Sequence, residues 1–448
     1  MDIQPSVLLT DLYQLNMVQA YLEHGKTDTA VFEFFVRKLP ERRGFLVAAG
    51  LEQALHFLET LCFSDGEIRW LEGTGRFSKG LLKALSRLYF TGDVHAMPEG
   101  TIFFENEPIL RVTAPLPQAQ LVETRLINIL QFQTMIASKA ARIALLAPGK
   151  QLVDFGLRRA HGADAGLFAA RASYIGGFAG TATLLANKAF GIPIYGTMAH
   201  SFVEAFDDEC AAFEAFSRSR PEGLVLVIDT YDTEAAARKV VALAPRLKTQ
   251  GIRIHGVRLD SGDLASLSRK VRAILDDGGL SDTIIFASGG LDEDEIAALV
   301  GHGAPIDGFG IGTSLVTSFD APALDCAYKL QEYAGIARRK RSSGKETWPG
   351  RKQAWRSFGT DGRMAVDRLS VEDDKVEGEP LLRHVMHDGR RTLPSPPLDQ
   401  IQSRAANNLA QLPDALRGLT PGIRYPVLVQ TGLRELADQV DQRMQRHG

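Results

Sequence analysis

Cysteine is scarce. There are three in 448 residues, Cys62, Cys210 and Cys326, far apart and with no CxxC pair. That argues against a disulfide framework and a zinc site, and it fits a reducing cytoplasm. Long apolar runs are also missing: no stretch approaches the roughly 20 residues that a membrane helix needs. The opening MDIQPSVLLTDLYQLNM carries acidic residues and no apolar core, so no signal peptide is expected. Neither sign of charge dominates. Lys and Arg total 51 against 54 Asp and Glu, a formal net charge of -3, so no global field points to nucleic acid or an anionic membrane. Internal repeats and long low-complexity tracts are absent too. What is present is an ordinary globular composition, 45% hydrophobic and 23% charged. The length suits two or three domains.

Two patterns divide the chain. The first part reads as mixed α+β. Asp11 to Leu22 has helical spacing, AVFEFFV (Ala30 to Val36) reads as a strand, and Leu51 to Leu61 as a helix. A Pro- and Gly-punctuated β stretch follows from Gly92 to Leu116, then a long helical segment from Gln118 to about Leu146. From residue 151 short apolar runs take over: QLVDFG, PIYGTM, LVLVIDT, IRIHGVRLD, TIIFASGG and IDGFGIG. Most are followed by helix-like stretches such as TEAAARKVVALAPRL. This alternation predicts parallel strands with crossover helices. About six units suit a barrel or an open α/β sheet, and both gather their chemistry at the carboxyl ends of the strands. After about Gln331 the order weakens. Ala337 to Arg356 is basic and loop-like, and a short β-rich stretch and a helical tail from about Val427 to His447 finish the chain. The expected domains are 1–125, 126–335 and 336–448, with part of 345–400 a candidate to rejoin the first.

The predicted strand ends carry a concentrated set of functional groups. They are Phe155, Arg158 and Arg159; Thr197 and His200; Asp229, Tyr231 and Asp232; Arg258, Asp260 and Asp263; Ser288, Gly289 and Gly290; and Gly310, Gly312 and Thr313. Structural turns have no reason to collect Arg, His and Asp on one rim. ASGGLDEDE and GFGIGTS each place glycines between a strand and a helix, where backbone N–H groups can approach an anion. In α/β barrels the loops after the last two strands commonly hold a phosphate. In RLDSGD, Asp263 reads as a helix cap, whereas Asp260 sits where it could face a ribose or a magnesium-bound diphosphate. The basic run of Arg338, Arg339, Lys340, Arg341 and Lys345 reads either as a solvated charge run or as a contact for a polyanion.

DFGLRRAHGADAGLFAARASYIGGFAGTATLLANKAFGIPIYGTMAHSF resembles the central block of nicotinate phosphoribosyltransferases. So do LLTDLYQLNM, FFVRKLP, PEGTIFFENEPILRV, VIDTYDT, GVRLDSGDL, ASGGLDE and GFGIGTSLVT, in family order over about residues 8 to 330. The resemblance implies an irregular parallel α/β barrel with an N-terminal α+β domain. The implied activity joins nicotinate to 5-phosphoribosyl 1-diphosphate, giving nicotinate mononucleotide and diphosphate, with ATP as co-substrate and Mg2+ carried by the phosphates. It also implies a cytoplasmic homodimer with shared active sites. His200 matches the histidine that ATP transiently phosphorylates, and Asp229 the carboxylate that orients it. Phe155 and Tyr13 match the aromatic residues on the two faces of the pyridine ring, Tyr13 coming from the partner subunit. Arg158, Thr197 and Arg258 match positions that hold nicotinate. Asp260 matches a ribose or base contact. Gly289, Gly290, Gly310, Gly312 and Thr313 correspond to the phosphate cradle, and Arg37 with the basic loop would meet phosphates across the dimer. Ala182 stands where the related nicotinamide enzymes carry an aspartate, which favours the acid over the amide. The alternatives are a nicotinamide or quinolinate phosphoribosyltransferase of the same fold, or a non-catalytic protein that binds a pyridine or phosphoribosyl ligand.

Overall fold

The computed structural model describes residues 6–446. The chain forms two compact units: Lys139–Pro322, and a second unit that runs to Ser138 and resumes at Ala323. The second boundary falls before the expected 335 because Cys326–Tyr333 is a strand that pairs with Thr29–Val36, and the first falls inside the helix Glu123–Leu146.

In Lys139–Pro322 the apolar runs form a six-stranded parallel sheet. Its order is Gly180–Thr181, Gln151–Asp154, Gly308–Ile311, Ile284–Ser288, Ile254–Leu259, Leu224–Val227. Every neighbouring pair is parallel. This is the strand order of a closed barrel with one pairing missing, between Gly180–Thr181 and Leu224–Val227. The sheet is therefore a curled half-barrel, the α/β class expected. PIYGTM, read as a strand, contributes only an isolated parallel bridge from Ile194 to Thr181. Pro193 has no N–H to donate, and residues 195–199 are irregular up to the helix His200–Glu204.

The crossover helices Thr233–Thr249, Leu264–Asp277 and Glu293–Gly301 begin with aspartate caps. Asp232 accepts the Ala235 N–H at 2.7 Å, Asp263 the Ser266 N–H at 3.1 Å, and Asp292 two N–H groups at 3.0 Å. Asp263 is thus the helix cap expected, and Asp232, selected as a functional group, is a structural cap too. Each helix turns an apolar face inward, for example Ala236, Val240, Leu243 and Leu247 on Thr233–Thr249.

The other unit is built on a seven-stranded antiparallel sheet. Its order is Ile336–Ala337, Cys326–Tyr333, Thr29–Val36, Leu110–Pro115, Asp93–Ala96, Arg383–His387, Arg390–Arg391. Thr29–Val36 lies inside this sheet and is buried at every residue after the first, which explains its apolar run, broken only by Glu33, whose carboxylate is buried against Lys352 at 2.7 Å. Residues 336–448, set apart in the sequence reading, group with this unit. A four-stranded sheet of Glu379–Pro380, Lys352–Phe358, Met364–Val371 and Val427–Val429 belongs to it as well. Lys352–Phe358 emerges from the stretch read as a loop, its alternate residues buried. Val427–Val429, expected as helix, is a strand, and the last helix is Thr431–Gln445. His447 lies outside the described residues. None of the described helices is long and apolar enough to cross a membrane.

Candidate active site

The rim of the parallel sheet gathers a compact polar cluster. His200 opens its short helix with its side chain 35% exposed, and its Nδ1 lies 3.1 Å from the Thr230 hydroxyl. Nε2 faces two carboxylates, Asp260 Oδ2 at 3.6 Å and Asp229 Oδ1 at 3.9 Å. Neither is at hydrogen-bond distance, so Thr230, not Asp229, is the group bonded to the ring.

Asp229 is fixed by its neighbours. Its side chain is 2% exposed, and Oδ2 accepts the Asp260 N–H at 2.9 Å and the Ser261 hydroxyl at 2.6 Å. Oδ1 is buried without a hydrogen-bond partner among the described residues. Asp260 accepts the Ser288 hydroxyl at 2.5 Å, and Arg258 Nη1 approaches it at 3.5 Å. Arg258 also donates to the Met198 carbonyl at 3.0 Å, tying its strand to the segment that leads into His200. Burial pulls the Arg258 pKa down, Asp260 and Asp229 hold it up, and the like charge of Arg158 adds to the fall.

The glycines divide into two roles. Gly289 and Gly290 have φ of +91° and +67°, and a Cβ on Gly289 would lie 1.8 Å from the Asp260 carbonyl oxygen. That turn must therefore be glycine, and it sits directly against Asp260. A cavity of about 340 Å³ opens beside it, lined in part by Gly262, Leu264, Gly289, Gly290 and Leu291. Gly310 instead makes room for an aromatic: a Cβ there would lie 2.5 Å from the Phe155 ring. At Gly312 a Cβ would come 3.3 Å from the Phe155 carbonyl oxygen, and Thr313 opens a four-residue helix.

Phe155 is half-buried and tilted against Phe286, ring centroids 5.8 Å apart. Ala182 is exposed at the end of Gly180–Thr181, and its N–H donates to the Asp154 carbonyl at 2.8 Å. Arg158 is exposed on the single turn Leu157–Arg159, and Thr197 is half-buried in the irregular approach to His200. Tyr13 and Arg37 belong to the other unit. Tyr13 is exposed there, and Arg37 is held by Asp325 at 2.9 Å. In the basic loop Arg339 and Arg341 both face Asp441, while Lys340 and Lys345 are exposed.

Three residues of this rim escaped the sequence reading. Thr230 and Ser261 are each one residue from a selected aspartate, and hydroxyls in such turns carry no distinctive pattern. Asp154 is 1% exposed and accepts the Thr181 hydroxyl and the Gly156 N–H, both at 2.8 Å. Burial lifts its carboxyl to about 6. A lone acid closing the apolar run QLVD was the available signal.

Comparison with known proteins covers nearly the whole chain. Residues 8–131 match the nicotinate phosphoribosyltransferase N-terminal domain, 150–342 the nicotinate phosphoribosyltransferase family, and 374–437 the nicotinate phosphoribosyltransferase C-terminal domain. The match therefore extends beyond residue 330, where the motifs stop. Nicotinate phosphoribosyltransferase pncB2 of Mycobacterium tuberculosis is 50% identical over 424 residues, covering 94% of this chain and 91% of that protein. The Bacillus subtilis nicotinate phosphoribosyltransferase is 38% identical over 451 residues, with 94% and 92% covered. The crystal structure of human nicotinic acid phosphoribosyltransferase superposes with a TM-score of 0.86 at 29% identity, covering 96% of this chain and 99% of that one.

Proposed function

This chain belongs to the nicotinate phosphoribosyltransferase family. From that premise we propose that it joins nicotinate to 5-phosphoribosyl 1-diphosphate, releasing diphosphate, with ATP hydrolysis coupled through a phosphorylated His200. One observation carries the coupling: the His200 ring sits between the Thr230 hydroxyl and two carboxylates, one of which abuts the Gly289 turn.

The carboxylates favour a proton on Nε2, which leaves the lone pair on Nδ1. Once the Thr230 hydroxyl turns aside, Nδ1 attacks the γ-phosphorus of ATP. A nitrogen–phosphorus bond forms, the phosphorus–oxygen bond to ADP breaks, and Asp229 and Asp260 stabilise the Nε2 proton. The Gly289–Gly290 turn offers backbone N–H groups to the 5-phosphate. Phe155 supplies a face for the pyridine ring, with Tyr13 of a second copy on the other. Arg158, Thr197 and Arg258 hold the carboxylate, for which arginine's paired donors are suited. The orphaned Asp229 Oδ1 and the part-exposed Asp260 are oxygen donors that fit magnesium. Bound with the phosphates, magnesium would neutralise their developing charge.

Exposed apolar side chains at Leu157, Leu184, Leu185, Ile194 and Tyr195 support a homodimer. The three free cysteines support a cytoplasmic setting.

The test is mononucleotide formation from nicotinate, nicotinamide and quinolinate, with and without ATP. Nicotinate should be the substrate. His200→Ala should lose nicotinate-stimulated ATP hydrolysis and keep a slow ATP-independent transfer. Full coupling in that variant overturns the histidine assignment, and a product only from another pyridine overturns the substrate.

A further inference from the structure

A second cluster of metal-ligating side chains lies in the antiparallel unit, and the activity does not use it. Asp93 and His95 are two residues apart on Asp93–Ala96, so they share a face. The partner strand pairs His384 with His95 and Met386 with Val94. Its register slips between them, leaving Val385 as an extra residue. On a regular strand His384 and His387 would point to opposite faces; the bulge returns them to one. A tight turn through Asp388 (φ +47°) and Gly389 (φ +70°) then pairs His387 with Arg390 and fixes the end of the strand.

Ligand atoms of Asp93, His384 and His387 consequently lie within 4.8 Å of one another. Asp93 Oδ1 is 2.9 Å from His387 Nδ1 and accepts the Asp388 N–H at 3.1 Å. His95 stacks on His384 with ring centroids 4.6 Å apart and planes at 18°, holding that imidazole in place. The His95 Nδ1 is buried without a hydrogen-bond partner among the described residues.

We propose that Asp93, His384 and His387 form a binding site for one divalent transition cation of the zinc class. Two imidazoles and one carboxylate suit such an ion rather than magnesium or calcium, which prefer all-oxygen sets. A tetrahedral zinc would space its ligands about 3.3 Å apart, so small rotations of the exposed His384 and His387 and the half-buried Asp93 close the set. Water completes the coordination. The ion ties the hairpin of residues 383–391 to the strand Asp93–Ala96, a link between segments almost 300 residues apart in sequence. The proposal does not depend on the proposed activity.

The experiment is calorimetric titration of Zn2+ into the metal-stripped full chain in excess Mg2+, compared with the His384→Gln/His387→Gln double variant. The wild type should bind one more equivalent than the variant, with Co2+ giving visible ligand-field bands that the variant lacks. Zn2+ should raise the thermal midpoint of the wild type alone. Asp93→Asn keeps an oxygen for its hydrogen bonds and guards against simple misfolding; it should weaken Zn2+ about ten-fold or more. Equal stoichiometry and equal Co2+ spectra in wild type and double variant would overturn the proposal, leaving Asp93 and His387 a plain hydrogen-bonded pair.

Discussion

Two aspartates, one in each unit, are both cut off from water: Asp367 is 0% exposed and Asp154 is 1%. They are kept there in opposite ways. Asp367 faces Arg356 across two antiparallel strands, with Nε and Nη2 bonding its two oxygens at 3.0 and 2.5 Å, and the Tyr425 hydroxyl donating at 3.0 Å. Asp154 has no such fork. It ends a parallel strand and relies on one hydroxyl and one N–H. Burial therefore dominates and lifts its carboxyl to about 6, the two hydrogen bonds opposing only in part. A further acid beside the fork shows the limit of one guanidinium. Burial and then the Asp367 charge push Glu107 well above the usual carboxylate range. The lesson is that a buried acid matched by a cation fixes strands, whereas one matched only by neutral donors holds a turn at the rim and stays close to its titration point.

The sharpest way to break this contrast is to remove the cation. Arg356→Ala leaves Asp367 buried and unpaired, and should lower unfolding stability by about 3–5 kcal/mol in a urea titration. A loss below about 1 kcal/mol would mean that the fork is not what holds these two strands together. The complementary change is Asp154→Asn. A folded pKa raised from 3.8 to about 6 means that folding takes up a proton. Stability from this group is present below the lower value and lost as pH rises through the upper one. At pH 7 the wild type should carry a penalty of up to about 3 kcal/mol, which Asn removes. Asn should therefore raise the urea midpoint at pH 7, and the gap should close towards pH 4. A gap that is constant with pH would show that Asp154 is not the titrating group.

What was legible in the sequence was local. The strand-to-helix turns, the cap Asp263, and the placement of His200, Asp229, Asp260 and the Gly289–Gly290 turn on one rim all follow from patterns a few residues long. What was not legible depends on register across distance. The pairing of Thr29–Val36 with Cys326–Tyr333 joins segments between which the whole parallel unit intervenes, and no local signal marks it. The same holds for the Val385 bulge, which alone brings His384 and His387 to one face. PIYGTM misled because an apolar run counts as a strand only where its N–H groups find a ladder, and Pro193 has none to give. Thr230 was passed over for Asp229 because sequence shows which residues are adjacent but not which reaches the ring.

The smallest effect on stability, and the one that bears most directly on substrate choice, is expected at Ala182. Its side chain is exposed and only its N–H is engaged, on the carbonyl of Asp154. A carboxylate at this position stays solvated, so Ala182→Asp should change unfolding stability by less than about 0.5 kcal/mol. It does, however, set a negative charge one residue beyond the hydroxyl that Asp154 holds, beside the turn that carries Phe155. Against the carboxylate of nicotinate bound beside Phe155, that charge costs about 1–3 kcal/mol, a rise in nicotinate KM of about 5- to 150-fold. Nicotinamide is neutral and its amide can donate to the new carboxylate, so its KM should fall or hold. Steady-state kinetics with both pyridines reads this directly. If nicotinate KM is unchanged while the fold is intact, the acid group does not face Ala182, and Arg158 and Thr197 lose their assigned roles with it.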